Sequence, residues 1–363
     1  VRKAWSEELG ALLDRPDVAV DEQRGHGGVV IPGERGDEVR IGGEGGPSFV
    51  RRQGHGMSVR IRGWDWAGRG VRESGERTMG RLLRTSYSPS MSTTLVLGGT
   101  GFLGAHVSAA AFHQSLSVAT LADPSGPPVI AVGRNPEASP RFCTPRDGVQ
   151  YVLRDLLPPG AAVALLDEFQ PAVVFSCAAL ARIADCNDHP EKAERMNVEV
   201  PREVAHWCAA HGARLVHVST DLVFGSTQPP AGGFTESCES GPLSEYGRTK
   251  LRGEETVLEE HPGALVVRLP LLYGNSGGRG TGASDSLLEA IERGEKPGLF
   301  HDEYRTPLEV SNVADALIEL AGHDATGLLH LAGPERISRL DLGLAVLGAM
   351  GLEPGEAEGC IQS

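Results

Sequence analysis

The chain has 363 residues, 40% hydrophobic and 23% charged, which is enough apolar material for a sizeable core. A formal net charge of −14 and only 5% aromatics argue against nucleic acid as partner, since a phosphate backbone would be repelled and few rings could stack on bases. There is no apolar run of roughly 18 residues, the length needed to span a membrane, and the six cysteines lack C-x-x-C pairing. This reads as a reduced, cytoplasmic chain rather than a disulfide scaffold or a zinc site.

Residues 1–90 stand apart. They carry a charge of +2 against −16 for the remainder, and they hold 17 of the 48 glycines. Their apolar residues follow neither the helical nor the strand period, so little surface could be buried to offset chain entropy. The expectation is a disordered extension or a non-native upstream segment, with the functional unit starting at Met91. An organelle transit peptide, suggested by the Arg/Ser-rich residues 81–90, and an Arg/Gly arm for RNA are the alternatives. Acidic residues interspersed through the segment weigh against both.

From residue 93 a short apolar strand, TTLVL, runs into Gly98-Gly99-Thr100-Gly101-Phe102-Leu103-Gly104 and then an Ala-rich helical stretch to about residue 114. Strand, glycine turn and helix in that order open a dinucleotide-binding unit. Gly98 permits the turn, Gly101 lets the backbone approach a pyrophosphate and Gly104 allows close helix–sheet packing. A second strand, residues 129–132, ends at Gly133-Arg134. An NAD site would place a carboxylate there for the ribose hydroxyls; Arg134 suits a 2′-phosphate, so NADP(H) is expected ahead of NAD(H). Its alternative is a solvated loop arginine.

The alternation continues with a strand at 149–153 ending at Arg154-Asp155, a helix opened by Pro158-Pro159 and reaching Phe169, and a strand at 171–177. A long helical region broken near Pro190 and Pro201 follows, then a strand from Arg214 to Val218. Such alternation predicts an α/β fold with a doubly wound parallel sheet. Its ligands bind at the carboxyl ends of the strands, which draws attention to Asp155, to Cys177, Ala178 and Ala179, and to Ser219-Thr220-Asp221. Asp155 either accepts from an adenine amine or caps the local backbone.

Tyr246 and Lys250 share a helix face at i, i+4 spacing. A ketone that receives hydride at carbon needs a proton at oxygen, which a phenol can give. A neighbouring ammonium would lower the phenol pKa and reach the nicotinamide ribose, and Thr220 could orient the carbonyl. The twelve histidines show no metal-ligand spacing, and a lone one such as His217 reads as a core or surface residue.

These features carry a resemblance. LGGTGFLG (97–104), FSCAAL (175–180), MNVEVP (196–201), HVSTDLVFG (217–225), PLSEYGRTKLRGE (242–254) and VVRLPLLYG (266–274) are similar to the extended short-chain dehydrogenase/reductases, specifically the dTDP-4-dehydrorhamnose reductase group. The resemblance implies a catalytic set of Thr220, Tyr246 and Lys250. It implies cofactor contacts at Gly98, Thr100, Gly101, Phe102, Leu103, Gly104, Arg134, Asp155, Cys177, Ala178, Ala179 and Asn197, with Tyr246 and Lys250. Substrate contacts would fall on Asp221, Val223, Phe224 and Arg305; Arg305 either meets a nucleotide-sugar diphosphate or forms a structural salt bridge. The Pro/Gly/Ser-rich residues 224–241 would be a mobile rim over the substrate.

The implied organisation is an NADP-binding Rossmann domain over residues 91–270 and a small α/β substrate lobe over 271–363. That lobe reads as truncated at its C-terminus, and residues 115–128 are longer than the group usually shows. The implied activity is NADP(H)-dependent reduction of a nucleotide-linked 4-keto-6-deoxy sugar, in the cytoplasm, with an organelle only if residues 1–90 are a targeting segment. The same group includes the regulatory β subunit of methionine adenosyltransferase, so a non-catalytic NADP-binding subunit partnering that enzyme's catalytic subunit is the alternative, as is another keto-reduction or epimerisation. The resemblance also suggests a homodimer; no metal is expected.

Overall fold

The computed structural model describes residues 93–117, 128–134, 148–226 and 228–352, with Gly355, Gly359 and Ile361. All lie in one compact unit, Ser74–Ser363. The expectations for residues 1–90 and the insertion at 118–127 fall outside the described residues.

The sheet is built from apolar runs. Strand β1 (Thr94–Leu97), β2 (Val129–Gly133), β3 (Val149–Leu153), β4 (Val173–Ser176), β5 (Arg214–Thr220), β6 (Leu265–Leu269) and β10 (Gly327–His330) form a seven-stranded sheet in the order β10-β6-β5-β4-β1-β2-β3. Every pairing is parallel. β4 lies at the centre with β1 beside it, and the chain leaves β1 first towards β2 and then, from β4, in the other direction. A crevice opens where the order reverses, at the carboxyl ends of the strands.

Both faces are covered, which is why the central strands read as continuous hydrophobic runs. Leu95, Leu97, Val174 and Leu215 face a core shared with helices α2 (Ala161–Phe169) and α5 (Val200–His211), while Val96, Phe175 and Val216 face one shared with α1 (Phe102–Ser117) and α8 (Val310–Ala321). After β6 the chain also forms β7 (Leu272–Tyr273), α7 (Ala283–Glu292), β8 (Tyr304–Arg305), β9 (Leu308–Glu309), β11 (Ile337–Ser338) and α9 (Arg339–Ala349). Leu287 of α7 and Leu347 of α9 centre a third, smaller apolar cluster, with Leu299 and Leu344 packed against them. β10 and α8 return from that part of the chain to the main sheet.

The helical region after β4 departs from expectation. It breaks between α3 (Ile183–Asp188) and α4 (Pro190–Glu194) but runs on through Pro201, because a π turn at Arg195–Glu199 precedes α5. Proline has no N–H to give the carbonyl one turn back, and the wider turn absorbs that loss. The Asn197 carbonyl instead lies against Gly253 of helix α6 (Glu245–Glu260), where any Cβ would overlap it. The residue pair thereby fixes how closely α6 approaches. Helix α2 begins at Ala161, two residues after Pro159, on a Gly160 with φ 75°.

Candidate active site

The first wall of the site is the glycine turn after β1. Gly98 has φ 79°, and a Cβ there would meet the Ala178 amide at 2.8 Å; at Gly104 a Cβ would overlap the Gly98 carbonyl. Side chains are therefore excluded at these two positions, and α1 starts directly against the turn. The first-turn amides of Phe102, Leu103 and Gly104 precede the first possible i−4 acceptor, so their donors are available to an anion.

A cleft of about 180 Å³ lies over this turn. Of the residues the sequence assigns to a cofactor, Gly98, Thr100, Gly101, Arg134, Cys177, Ala178 and Ala179 line it. Arg154, Leu180, Lys192 and Met196 line it too, and none of these was singled out in the sequence. Arg154 carried a usable signal, since it occupies the same strand-end place after β3 as Arg134 does after β2. Lys192 carried none, because only the fold turns α4 towards the cleft.

Other expected contacts lie elsewhere. The side chain of Asn197 is buried and fully occupied: it accepts from the Leu180 amide at 2.9 Å and donates to the Leu180 carbonyl and Thr249 Oγ1, both at 3.0 Å. It holds the cleft wall from behind rather than touching a cofactor. Asp155 is exposed and accepts from the Leu157 amide at 3.2 Å, the capping alternative. Leu103 packs into the α1 side of the core, so only its main chain can face the cleft.

The second part of the site hangs on the end of β5 and the start of α6. Ser244 caps α6 by accepting from the Gly247 amide at 3.1 Å, and this sets Tyr246 in the first turn. Thr220 caps the 3-10 turn Asp221–Val223 by accepting from the Leu222 amide at 3.2 Å. The Tyr246 phenol lies beside the Thr220 hydroxyl, which works to lower its pKa, but burial outweighs this and pushes the pKa up to about 12. The expected lowering by Lys250 is not found. Lys250 Nζ instead donates to the Val218 carbonyl at 2.7 Å and to His217 Nε2 at 3.3 Å, turned towards the sheet. Burial brings its pKa down to about 8.

His217, fully buried, completes this arrangement through Ser176 Oγ at 3.1 Å from Nδ1. Lysine is only a donor, so Nε2 must be the accepting nitrogen and Nδ1 carries the proton. Burial and the nearby ammonium hold His217 neutral, well below the ordinary imidazole range. Lys250 also lies near enough to Cys177, which lines the cleft, to offset part of the burial that raises that thiol to about 12. The described cysteines, 177, 186, 208 and 238, are all free thiols.

Arg305 takes the salt-bridge alternative. It binds both carboxylate oxygens of Asp221, with Nε to Oδ2 at 2.9 Å, and Glu303 at 3.1 Å. Burial raises the Asp221 carboxyl while the guanidinium works against that rise. Val223 is fully buried and Phe224 nearly so, which corrects their assignment to substrate. Phe224 lies under the rim, stacked on Phe234 at 4.2 Å, with the Arg268 guanidinium 5.1 Å from its ring. The rim itself is tied down. Ser226 donates to the Gly241 carbonyl, Gly241 to that of Val223, and the His330 amide to Glu236.

Beneath this lies a buried ion pair that sequence reading missed. Arg268 donates to both Glu254 oxygens, at 2.6 to 3.0 Å, and Ser219 donates to the same carboxylate. Among the described residues, no three His, Cys, Asp or Glu side chains cluster to hold a metal, and no helix is long and apolar enough to cross a membrane.

A parallel sheet with this strand order, a glycine turn at its switch point and a Thr–Tyr–Lys set beside it define an extended short-chain dehydrogenase/reductase. Within that class, the family of the RmlD substrate binding domain matches residues 91–363, and the chain belongs to it. Methionine adenosyltransferase 2 subunit beta of Bos taurus is 33% identical over 204 residues, covering 54% of this chain and 60% of that protein. The chain spans about 60% of the length of the curated relatives it matches. A hypothetical dTDP-4-dehydrorhamnose reductase from Sulfolobus tokodaii superposes with a TM-score of 0.58 at 26% identity, over 72% of this chain and 83% of that one. MoeE5 in complex with UDP-glucose and NAD gives the same TM-score and identity, over 74% and 84%.

Proposed function

We propose that this chain is an NADPH-dependent reductase of the C4 ketone in a nucleotide-linked 4-keto-6-deoxy sugar. The observation that supports the reading is the placement of Thr220 at the carboxyl end of β5 and of Tyr246 and Lys250 on the first turns of α6, on the same edge of the parallel sheet as the glycine turn after β1. Reduction of a ketone consumes a proton at oxygen, and a phenol with a pKa of about 12 enters the reaction as an acid.

The cleft fits a dinucleotide by its donor set. Free first-turn amides meet the pyrophosphate, Arg134 the 2′-phosphate, and Leu156 and Met196 offer apolar walls for a base. The nicotinamide, when bound, supplies the hydride. Thr220 orients the carbonyl, Tyr246 gives its proton, and Lys250, with two N–H groups committed to His217 and Val218, has one left for the ribose side. NAD in MoeE5 supports the nicotinamide cofactor in general; preference for the phosphorylated form rests on Arg134.

Tyr246→Phe should abolish consumption of NADPH with a dTDP-4-keto-6-deoxy sugar while leaving NADPH binding within about threefold, since the lost hydroxyl acts on the reacting oxygen only. Retained turnover would overturn the assignment. A second reading, a non-catalytic regulatory subunit, is favoured by the likeness to the cattle protein and by the Asp221–Arg305 pair close to the phenol. Capture of a methionine adenosyltransferase catalytic subunit, without turnover, would select it.

A further inference from the structure

We propose that Arg154 is the second arm of a clamp for the 2′-phosphate, kept in place by Glu168 until the phosphate arrives. The inference rests on the dinucleotide reading above and adds a specificity residue to it. Three observations bring Arg154 to that role. Its amide donates to the Gly133 carbonyl at 2.9 Å, which locks the end of β3 beside the end of β2 and sets Arg154 next to Arg134 in space, 20 residues apart in sequence. Arg154 and Arg134 line the same cleft, on the side away from Ala178 and the reactive set. Glu168, the partner of Arg154 at 2.9 Å, stands on α2 and does not line the cleft.

The chemistry follows from what each group can offer. One guanidinium cannot satisfy a phosphate monoester dianion, which presents three acceptor oxygens; two guanidinium forks from adjacent strand ends can. The Arg154–Glu168 pair is about half exposed on both sides, 45% and 50%, and a pair in that setting is weak. It orients the guanidinium in the free protein, yet a dianion can draw it away. A dinucleotide that lacks the 2′-phosphate leaves the pair intact, so the device discriminates without a steric barrier. Placing a cation on the second strand end also explains why no carboxylate is needed after β2.

The test separates the phosphate from everything else by using two probes without nicotinamide, 2′-phospho-ADP-ribose and ADP-ribose, titrated calorimetrically beside NADPH and NADH. Arg154→Ala should weaken both phosphorylated ligands by roughly tenfold or more and leave both unphosphorylated ones within about twofold, the loss of one charge-assisted fork. Arg154→Lys should fall between, because a point charge replaces a planar fork. Glu168→Gln should tighten only the phosphorylated ligands, by a few-fold. Equal weakening of all four ligands, or no weakening by Arg154→Ala in a wild type that prefers the phosphorylated ligands, would overturn the clamp while leaving the cofactor reading intact. A wild-type chain that binds none of the four would overturn both, and a wild-type chain that binds the two classes equally would overturn the clamp together with the preference for NADPH, leaving only the dinucleotide site. Unchanged melting temperatures of the three variants exclude a folding effect.

Discussion

Replacing Arg268 by Met should cost more stability than any other single change at the site. Its side chain is 4% exposed and that of Glu254 2%, and the carboxylate keeps three hydrogen bonds from the guanidinium and one from Ser219. Removing the cation strands a buried carboxylate, a change that costs about 3–5 kcal/mol, whereas replacing both members by apolar residues of similar volume is often close to neutral. For a unit of this size each kcal/mol moves the melting temperature by roughly 2–4 °C, so the single variant should melt about 10 °C lower. Thermal and urea unfolding, followed by circular dichroism, should show R268M far less stable than wild type and R268M/E254L recovering at least half of the loss. A single variant within about 1 kcal/mol of wild type, or a double variant in which the two losses simply add, would refute the reasoning, because the penalty was assigned to an uncompensated charge.

Lys250 sets a pH dependence of known sign. Its folded pKa of about 8 lies below its ordinary 10.5, so the unfolded chain binds more protons between those values and stability should rise with pH across that window. Lys250→Met should flatten the rise in urea midpoints between pH 8 and 10; parallel curves would show that another group is responsible. Gly253→Ala should destabilise the fold by roughly 1–3 kcal/mol, since the new methyl overlaps the Asn197 carbonyl and α6 must shift. An unchanged unfolding midpoint would mean that α6 has slack which the structure does not show. Asn197→Ala should weaken dinucleotide binding without touching the ligand, by releasing the Leu180 main chain from behind the cleft wall. Equal affinity for wild type and variant in the same titration would remove that role.

The parts of this fold that were legible share a physical property: their signal is local. β1, the glycine turn and α1 announce themselves because a buried parallel strand is apolar at every position and a phosphate turn excludes side chains. The i, i+4 spacing of Tyr246 and Lys250 is equally local. What stayed hidden is polar and buried, and gains its meaning from partners far away in sequence. His217 is a strand residue until Lys250 is placed 33 residues later, and Glu254 is a surface-type residue of a charged helix until Arg268 and Ser219 close on it. The same limit explains the errors. Val223 and Phe224 sit in a motif rich in site residues, yet Val223 is buried at the end of the 3-10 turn and Phe224 lies under the rim against Phe234, and Lys250 has a rotamer that a helical wheel does not specify.

The two functional readings differ less in the cleft than in what stands in front of Tyr246. A regulatory subunit and a reductase both need the glycine turn, the cations and the wall held by Asn197. Only the reductase needs a carbonyl to reach Thr220 and the phenol. That approach is bordered by Asp221 and Arg305, paired through two hydrogen bonds from β8 to the turn after β5. The pair is half the mechanism or half the plug, and charge decides which. A nucleotide sugar brings a diphosphate that competes with Asp221 for the guanidinium, so a substrate of that class could open the pair with its own charge, whereas a neutral ketone could not. Arg305→Ala tests this directly. It should raise the KM for the nucleotide-linked ketone by at least tenfold and leave NADPH affinity unchanged, if Arg305 is exchanged between carboxylate and diphosphate. A KM that falls in R305A would identify the pair as a plug and favour the regulatory reading.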